Sequence, residues 1–303
     1  MTASTAPIGQ KGRAVSVWTI RRVVRELVAH AFLIPISLVL LFPLVWLVST
    51  SLKCHTEIFR FPPQLVPNPV CWNNYPEALT VYPFALYFRN SMIYCVGIVI
   101  GQVLVSTFVG YGFARLRFPG RDFLFWLVLL RMMLPATVTM VPSYVMFSKM
   151  KWVNTFLPLI VPGWLPGLNS ASFYIFLCRQ FFMGIPLELD DAAKIDGAGY
   201  LRMWWQMMLP LSKPVIATVA VFSFIIHWND FQGPLLYLQR QNLRPMALAL
   251  QAFGDAFGPE STSSEWQWLM AASTAFLVPM LVMFFAGQRY FLRGISTTGL
   301  AGR

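Results

Sequence analysis

Charged residues are scarce in this sequence of 303 residues. Only 12% are Asp, Glu, Lys or Arg, whereas 57% are hydrophobic, and the mean hydropathy is +0.59. A soluble domain typically carries about 25% charged residues. The composition therefore excludes an ordinary soluble protein and indicates an integral membrane protein. The length accommodates six spans of about 20 residues each, with their loops.

Catalytic and metal-binding motifs are also missing. The sequence contains no Gly-x-x-x-x-Gly-Lys-Ser/Thr phosphate loop and no Gly-x-Ser-x-Gly motif, so we expect neither ATP hydrolysis nor serine-hydrolase chemistry by this chain alone. The three histidines, His30, His55 and His227, are far apart and have no Cys or carboxylate at metal-ligand spacing. We therefore predict a chain that is not an enzyme and binds no metal or cofactor itself.

Acidic residues are few compared with basic ones, 12 against 23, which gives a net charge of +11. The basic residues do not form one patch, as in many nucleic-acid-binding proteins, but flank the apolar runs. This distribution is the positive-inside signature of membrane proteins, and we expect no nucleic-acid partner. The apolar run at 27–52 is longer than the roughly 7–15 residues of a signal-peptide core, so we interpret it as an uncleaved first span.

Six apolar runs predict an all-α protein with six transmembrane helices. The predicted spans are 28–50, followed by a core at 88–290 that contains spans at about 90–112, 123–145, 156–177, 214–236 and 266–287. Small residues such as Gly97, Gly101 and Gly110 in the second span allow close helix approach in lipid.

The basic residues orient these spans. The cytoplasmic side then comprises residues 1–27, the turn at 115–121, the polar loop around 186–210 with its flanks from 179 to 213, and the C-terminal segment from 289, including the tail at 291–303. With this assignment, 15 basic residues lie inside, 7 outside and 1 within a span. The loops at 51–87 and 238–264 are then external, and both termini are cytoplasmic. Cys54 and Cys71 both lie in the first external loop. They would pair if the compartment is oxidising, or remain free thiols, because two cysteines alone do not define a disulfide framework.

The loop at 186–210 concentrates acidic residues. Pro186 is a plausible helix start, and four of the twelve acidic residues fall between Glu188 and Asp196. Carboxylates in a first helical turn are stabilised by the helix macrodipole. Gly197 can take the left-handed conformation that ends a helix. On composition alone, this is a surface helix in a cytoplasmic loop.

The spacing within this loop is more specific. An acidic residue and two alanines are followed after three residues by Gly and, nine residues later, by an apolar-x-Leu-Pro sequence. The pattern closely resembles the EAA loop of permease subunits in binding-protein-dependent ABC importers. The matching positions are Asp191, Ala192, Ala193, Gly197, Leu209 and Pro210. Asp191 stands where Glu is usual, and Met207 where Ile is usual. The longer pattern, with Ile195-Asp196-Gly197-Ala198, resembles the carbohydrate-uptake, maltose-type branch.

The resemblance implies a fold and a set of partners. It implies the type I ABC importer permease fold in a bacterial or archaeal cytoplasmic membrane. The expected partners are a homologous second permease subunit, an ATPase dimer that binds ATP and Mg on the cytoplasmic side, and an external solute-binding protein. The solute would be a sugar, an oligosaccharide or a related polyol or glycerol phosphate. The residues implied to contact the ATPase are Glu188, Asp191, Ala192, Ala193, Asp196, Gly197, Leu209 and Pro210.

Two polar features near the spans are candidates for the solute path. Arg131 lies nine residues after Asp122, roughly 13 Å along the predicted helix, where a charge is costly. It either binds solute or bonds structurally to neighbouring helices. Trp228, Asn229 and Asp230 resemble an element of the carbohydrate branch. They could stack on and hydrogen-bond a sugar, or form an aromatic belt with a polar cap.

A secondary transporter or channel driven by an ion gradient is the competing class. Such proteins usually place ionisable groups or broken helices near the midplane of the membrane. Only Arg131 meets this description in the sequence, which favours the ATP-driven importer.

Overall fold

Helices account for most of the residues that the computed structural model describes, which are 17–166, 171–257 and 265–298. Within these ranges the β pairing consists of one isolated bridge between Lys53 and Val70. The α-helices in chain order are α1 (Val17–Ser51), α2 (Asn74–Val81), α3 (Phe84–Arg115), α4 (Arg121–Met133), α5 (Ala136–Lys149), α6 (Leu157–Ile160), α7 (Ala171–Met183), α8 (Glu188–Ile195), α9 (Tyr200–Leu211), α10 (Lys213–Trp228), α11 (Gln232–Tyr237), α12 (Met246–Phe257) and α13 (Trp266–Thr298). A 3₁₀ turn at Val161–Trp164 follows α6, and a π-helical turn at Trp204–Met208 lies within α9.

The helix α3 is the central element of the fold. Its 32 residues extend about 48 Å at 1.5 Å per residue, which is more than the roughly 30 Å hydrocarbon core of a bilayer. It packs along α7 and α10, while α13 packs against α10, α1 and α12. One buried cluster joins the start of α3 to α10, α12 and α13, and a second joins its end to α7 and α9.

Close packing of α3 against α7 confirms the expected use of small residues. A Cβ added at Gly110 would lie 2.8 Å from the Cβ of Cys178 and 3.1 Å from the backbone N of Arg179. Carbon atoms in contact are normally about 3.5–4.0 Å apart. Only Gly therefore permits this approach of the two helices without displacement of α7.

Three of the predicted spans each lie within one long helix: 28–50 in α1, 90–112 in α3 and 266–287 in α13. The other predicted spans are interrupted. The range 123–145 lies in α4 and α5, which are separated by Leu134 and Pro135 and meet at an angle of 100°. In the range 156–177, α6 and the 3₁₀ turn precede α7, and residues 167–170 lie outside the described ranges.

The fifth predicted span, 214–236, is interrupted as well. It corresponds to α10 and α11, which are separated by residues 229–231, and α10 itself follows α9 at a bend of 79°. In the described part of the chain, three helices are long and apolar enough to cross a membrane, or up to five if each bent pair counts as one span. The loops predicted at 51–87 and 238–264 also contain helices α2 and α12.

A disulfide closes the segment that follows α1. Cys54 and Cys71, whose pairing the sequence left open, are bonded, with their Cα atoms 5.4 Å apart. The Asn74 side chain donates hydrogen bonds of 2.8 Å to the carbonyls of Ser51 and Lys53. These contacts fix the path of the chain from the end of α1 to the start of α2. Among the described residues, the two free cysteines, Cys95 and Cys178, are buried.

Candidate functional site

The polar loop folds as the sequence predicts, with α8 as a short helix. Glu188, Asp190 and Asp191 occupy its first turn, where carboxylates offset the partial positive charge of the free N–H groups. Gly197 has φ +77°, and the N–H groups of Gly197 and Ala198 donate to the carbonyls of Lys194 and Ala193 at 2.9 Å each. This pair of hydrogen bonds is the Schellman arrangement, which the left-handed glycine makes possible.

One face of α8 is open to solvent. Glu188, Asp191 and Ala192 are exposed, as are Asp196 and Gly197, while Ala193 is partly covered. Apolar side chains flank this face, because Leu187 is 61% exposed and Ile195 is 87% exposed. Lys194 forms an exposed ion pair with Asp191 at 3.1 Å, which involves two residues of the same helix. A surface that combines carboxylates, small alanines and apolar side chains suits a protein partner.

The opposite face of α8 is held by a buried ion pair. The Nη1 atom of Arg115, at the end of α3, lies 3.1 Å from Oδ2 of Asp190, and the two side chains are only 4% and 7% exposed. The Nη2 atom of Arg115 also donates a 2.6 Å hydrogen bond to the carbonyl of Ile185. One guanidinium therefore fixes both the helix and the residue that leads into it.

The electrostatics of this pair make it sensitive to the loss of either partner. Burial raises the pKa of the Asp190 carboxyl above its usual range, and the charge of Arg115 opposes that shift. Within the described part of the chain, Asp190 Oδ1 and Arg115 Nε have no hydrogen-bond partner. Each charge thus depends mainly on the other for compensation, and removal of one leaves the other buried and unpaired.

The segment after α8 packs as a bent connection into α10. Trp204, in the π-helical turn of α9, is buried and meets Phe108 edge to face at 5.1 Å between ring centroids. Trp205 is 61% exposed, so Trp205, but not Trp204, is available to contact a membrane surface. Leu209 is partly buried and Pro210 is exposed, just before the 79° bend at Ser212.

A cavity of about 690 Å³ lies beside the break between α4 and α5. Its walls come from α4, α5, the α6 region and the ends of α10 and α11. Many lining residues are apolar, and its polar side chains include Arg131, Thr139, Ser143, His227, Asp230 and Gln232. The volume is in the usual range for small-molecule sites, and a few polar groups on an apolar wall are typical of them.

The sequence matches a known family over most of its length. A family model described as "binding-protein-dependent transport system inner membrane component" matches residues 102–297. The chain belongs to this family. It is therefore a membrane permease component of a transport system, as its resemblance in the polar loop implies.

Two curated relatives of this permease match nearly the whole chain. The sn-glycerol-3-phosphate transport system permease protein UgpE of Yersinia enterocolitica is 33% identical over 277 residues, which cover 89% of this chain and 95% of the relative. The arabinooligosaccharides transport system permease protein AraQ of Halalkalibacterium halodurans is 31% identical over 270 residues, which cover 88% and 93%.

A solved structure has the same fold as this permease. It is a bacterial ABC transporter involved in the import of the acidic polysaccharide alginate, and one of its chains superposes with a TM-score of 0.75. The alignment covers 94% of this permease and 100% of that chain, at 21% sequence identity. The type I ABC importer permease fold expected from the resemblance is therefore confirmed.

Trp228, one of the predicted solute-path residues of the permease, does not line the cavity. It is 1% exposed, and its Nε1 donates a 3.1 Å hydrogen bond to the carbonyl of Phe276 in α13. Its ring stacks against Phe224 at 5.4 Å and Phe276 at 5.6 Å between centroids. Of the two alternatives for this element, sugar stacking or an aromatic belt with a polar cap, the packed ring favours a structural role, because Phe224 and Phe276 cover its faces.

The two neighbouring candidates differ from each other. Asn229 is exposed, does not line the cavity, and donates a 2.8 Å hydrogen bond to the carbonyl of Ile225 at the end of α10. Asp230 does line the cavity and accepts hydrogen bonds from the hydroxyl of Tyr94 at 2.6 Å and the N–H of Gly233 at 3.0 Å. The structure thus brings together Arg131 and Asp230 but neither Trp228 nor Asn229.

Proposed function

We propose that this permease is a membrane-spanning subunit of an ATP-driven importer for a sugar, an oligosaccharide or a polyol phosphate. Its relatives UgpE and AraQ serve sn-glycerol 3-phosphate and arabinooligosaccharide transport, respectively, and the likeness to each extends along nearly 90% of the chain. The cavity beside the α4–α5 break is the proposed part of the solute path in this subunit.

The observation that carries the proposal is the two-sided environment of α8. Its exposed face, with Glu188, Asp191 and Ala192, is proposed to bind an ATPase subunit, together with Ala193, Asp196, Gly197, Leu209 and Pro210. Its buried face is tied to α3 by the pair of Asp190 with Arg115. A movement of the ATPase can therefore be passed to α3, the central helix of the fold. ATP and Mg belong to the ATPase subunits in this scheme.

The remaining partners follow from the exposed surfaces. The apolar side chains along α1 are open, with Leu38 63% and Leu40 73% exposed, and lipid or a second permease subunit covers them in the proposed complex. A homologous second permease completes the path, and a solute-binding protein delivers solute from outside. Alternating access then requires that nucleotide, binding protein and solute prefer different states of the permease, since equal affinity for both states shifts no equilibrium.

We further propose six spans in a bacterial inner membrane, with both termini and residues 186–210 cytoplasmic. The bias of 15 basic residues inside against 7 outside supports this orientation. The Cys54–Cys71 bond supports it independently, because disulfides persist on the oxidising, external side of such membranes.

Cysteine labelling tests this orientation. In right-side-out vesicles, with the native cysteines replaced, a membrane-impermeant maleimide should label Arg240→Cys, whose parent residue is exposed in the predicted external loop. It should label Lys194→Cys only after the vesicles are permeabilised. Equal labelling of Lys194→Cys in sealed vesicles would contradict the topology and place α8 beyond reach of an ATPase.

Reconstitution tests the function. Proteoliposomes that contain this permease, its partner permease and the ATPase should import solute only with binding protein, Mg and ATP. An ATPase variant that cannot hydrolyse ATP is the matched control and should abolish uptake. Uptake that continues without ATP and stops when an ionophore dissipates the ion gradient would instead identify a secondary transporter.

A further inference from the structure

Arg131 places a positive charge on the wall of the cavity. Arg131 is partly buried on the cavity wall, in the last turn of α4. In the described ranges, its guanidinium forms no ion pair within 4 Å and no hydrogen bond. A charge at membrane depth is costly, and it usually faces a partner, a water-filled path or a substrate.

Three other polar groups of the cavity already have partners. Both oxygens of Asp230 accept hydrogen bonds, from Tyr94 and Gly233. The Nδ1 atom of His227 donates to the carbonyl of Ser223 at 2.7 Å, and the hydroxyl of Thr139 donates to the carbonyl of Ala136 at 3.1 Å. Among the described residues of this wall, the guanidinium is a charged donor that has no acceptor.

A helix N-terminus lies at the same place. The helix α5 has 14 residues and begins at Ala136, immediately after the break, and both Ala136 and Thr139 line the cavity. The first N–H groups of a helix lack partners within it and carry partial positive charge. Broken helices in transporters present such termini to anionic groups of their substrates. This feature and Arg131 therefore favour the same sign of ligand charge.

We propose that Arg131 and the N-terminus of α5 bind an anionic group of the solute, a phosphate or a carboxylate, as it passes through the cavity. Guanidinium recognises both groups through paired, charge-assisted hydrogen bonds. The inference rests on the proposed function and narrows its solute class to anionic polyols or saccharides. A neutral saccharide offers no charge to compensate the partly buried guanidinium.

Local reactivity tests the anion site without knowledge of the solute. Ser143→Cys and, separately, Thr139→Cys place a reporter thiol on the cavity wall of the purified complex. Each reacts with two methanethiosulfonate reagents, one bearing a sulfonate and one bearing a trimethylammonium group. We expect Arg131→Gln to lower the ratio of anionic to cationic reaction rates roughly tenfold, the lower end of known electrostatic effects on rates. Arg131→Lys should retain most of the ratio.

Each result of the labelling experiment either supports or overturns the anion site. An unchanged ratio in Arg131→Gln, or two reporters inert toward both reagents, would overturn the anion site. If Arg131→Gln does not assemble, sn-glycerol 3-phosphate is added to the complex that retains Arg131. It should then slow labelling by the sulfonate reagent, whereas glycerol at the same concentration should not. Equal effects of the two compounds also overturn the inference.

Uptake then distinguishes this inference from the proposed function. Proteoliposomes are supplied with sn-glycerol 3-phosphate, a uronic-acid oligosaccharide, glycerol and a neutral oligosaccharide. Import of anionic solutes that falls about tenfold in Arg131→Gln and recovers in Arg131→Lys supports the inference. ATP-driven import of neutral solutes that is insensitive to Arg131→Gln overturns it but leaves the proposed function intact. If no solute is imported, the proposed function fails and the labelling rates alone decide the anion site.

Discussion

Arg115→Met is expected to reduce ATP-coupled uptake at least tenfold and to lower the amount of ATPase that co-purifies with the permease. The change leaves Asp190 as an uncompensated carboxylate in a side chain that is 7% exposed, and it also removes the hydrogen bond to the Ile185 carbonyl. Loss of one partner of a buried ion pair costs roughly 3–5 kcal/mol. The measurements are the ATPase-to-permease ratio after purification and uptake in proteoliposomes.

Two further variants make this test specific. The double variant Arg115→Met/Asp190→Leu removes both charges, and we expect it to recover part of the ATPase co-purification that Arg115→Met loses, because apolar replacement of a buried pair is often neutral. Lys194→Met breaks the exposed pair with Asp191, which should contribute only about 0–1 kcal/mol. If Arg115→Met behaves like Lys194→Met, α8 is not anchored through this contact.

Long apolar helices and the polar loop could be predicted from the sequence because their causes are local. The spans at 28–50, 90–112 and 266–287 each lie within one helix, since an uninterrupted apolar run of about 20 residues needs no tertiary information. The end of α8 at Gly197 could be predicted for the same reason, because a helix that ends in a left-handed residue selects glycine at that position.

The broken spans could not be predicted in the same way. Proline lies at the α4–α5 break, yet Pro43 and Pro279 occur inside the continuous helices α1 and α13. Proline inside a helix removes one backbone hydrogen bond, so its presence permits a kink but does not set the angle. The 100° bend instead places α4 and α5 around a cavity built by distant segments, and that arrangement is a tertiary property.

The contacts of individual side chains could not be predicted from the sequence either. Asp190 is one of four acidic residues in the polar loop, and only its position on the inner face of α8 brings it to Arg115, on another helix. In the sequence, Arg115 is one of the basic residues that orient the spans, and nothing marks it as the partner of Asp190. Trp228 likewise matched a pattern of polar and aromatic residues, but its neighbours in α13 enclose it. Such contacts join residues far apart in sequence, where no periodic pattern reports them.

Gly197→Val is expected to impair coupling about as strongly as the loss of Arg115, while the permease still inserts into the membrane. A β-branched residue at φ +77° is strained by roughly 1–2 kcal/mol or more, and a Cβ at this position meets no atom within 4 Å. The effect therefore comes from the backbone: the strained residue disfavours the two hydrogen bonds that end α8, and the exposed face changes shape.

Gly199 provides a matched control two residues away. A Cβ there also meets no atom within 4 Å, but Gly199 has φ −71° and ψ 163°, which valine adopts without strain. Gly199→Val should therefore retain uptake and ATPase co-purification. Ala193→Trp tests the same surface differently, because it leaves the backbone unchanged and adds bulk where a partner must approach closely. Full ATPase co-purification and full uptake in both Gly197→Val and Ala193→Trp would exclude α8 as the coupling element, whereas loss in both with normal Gly199→Val would locate coupling on its exposed face.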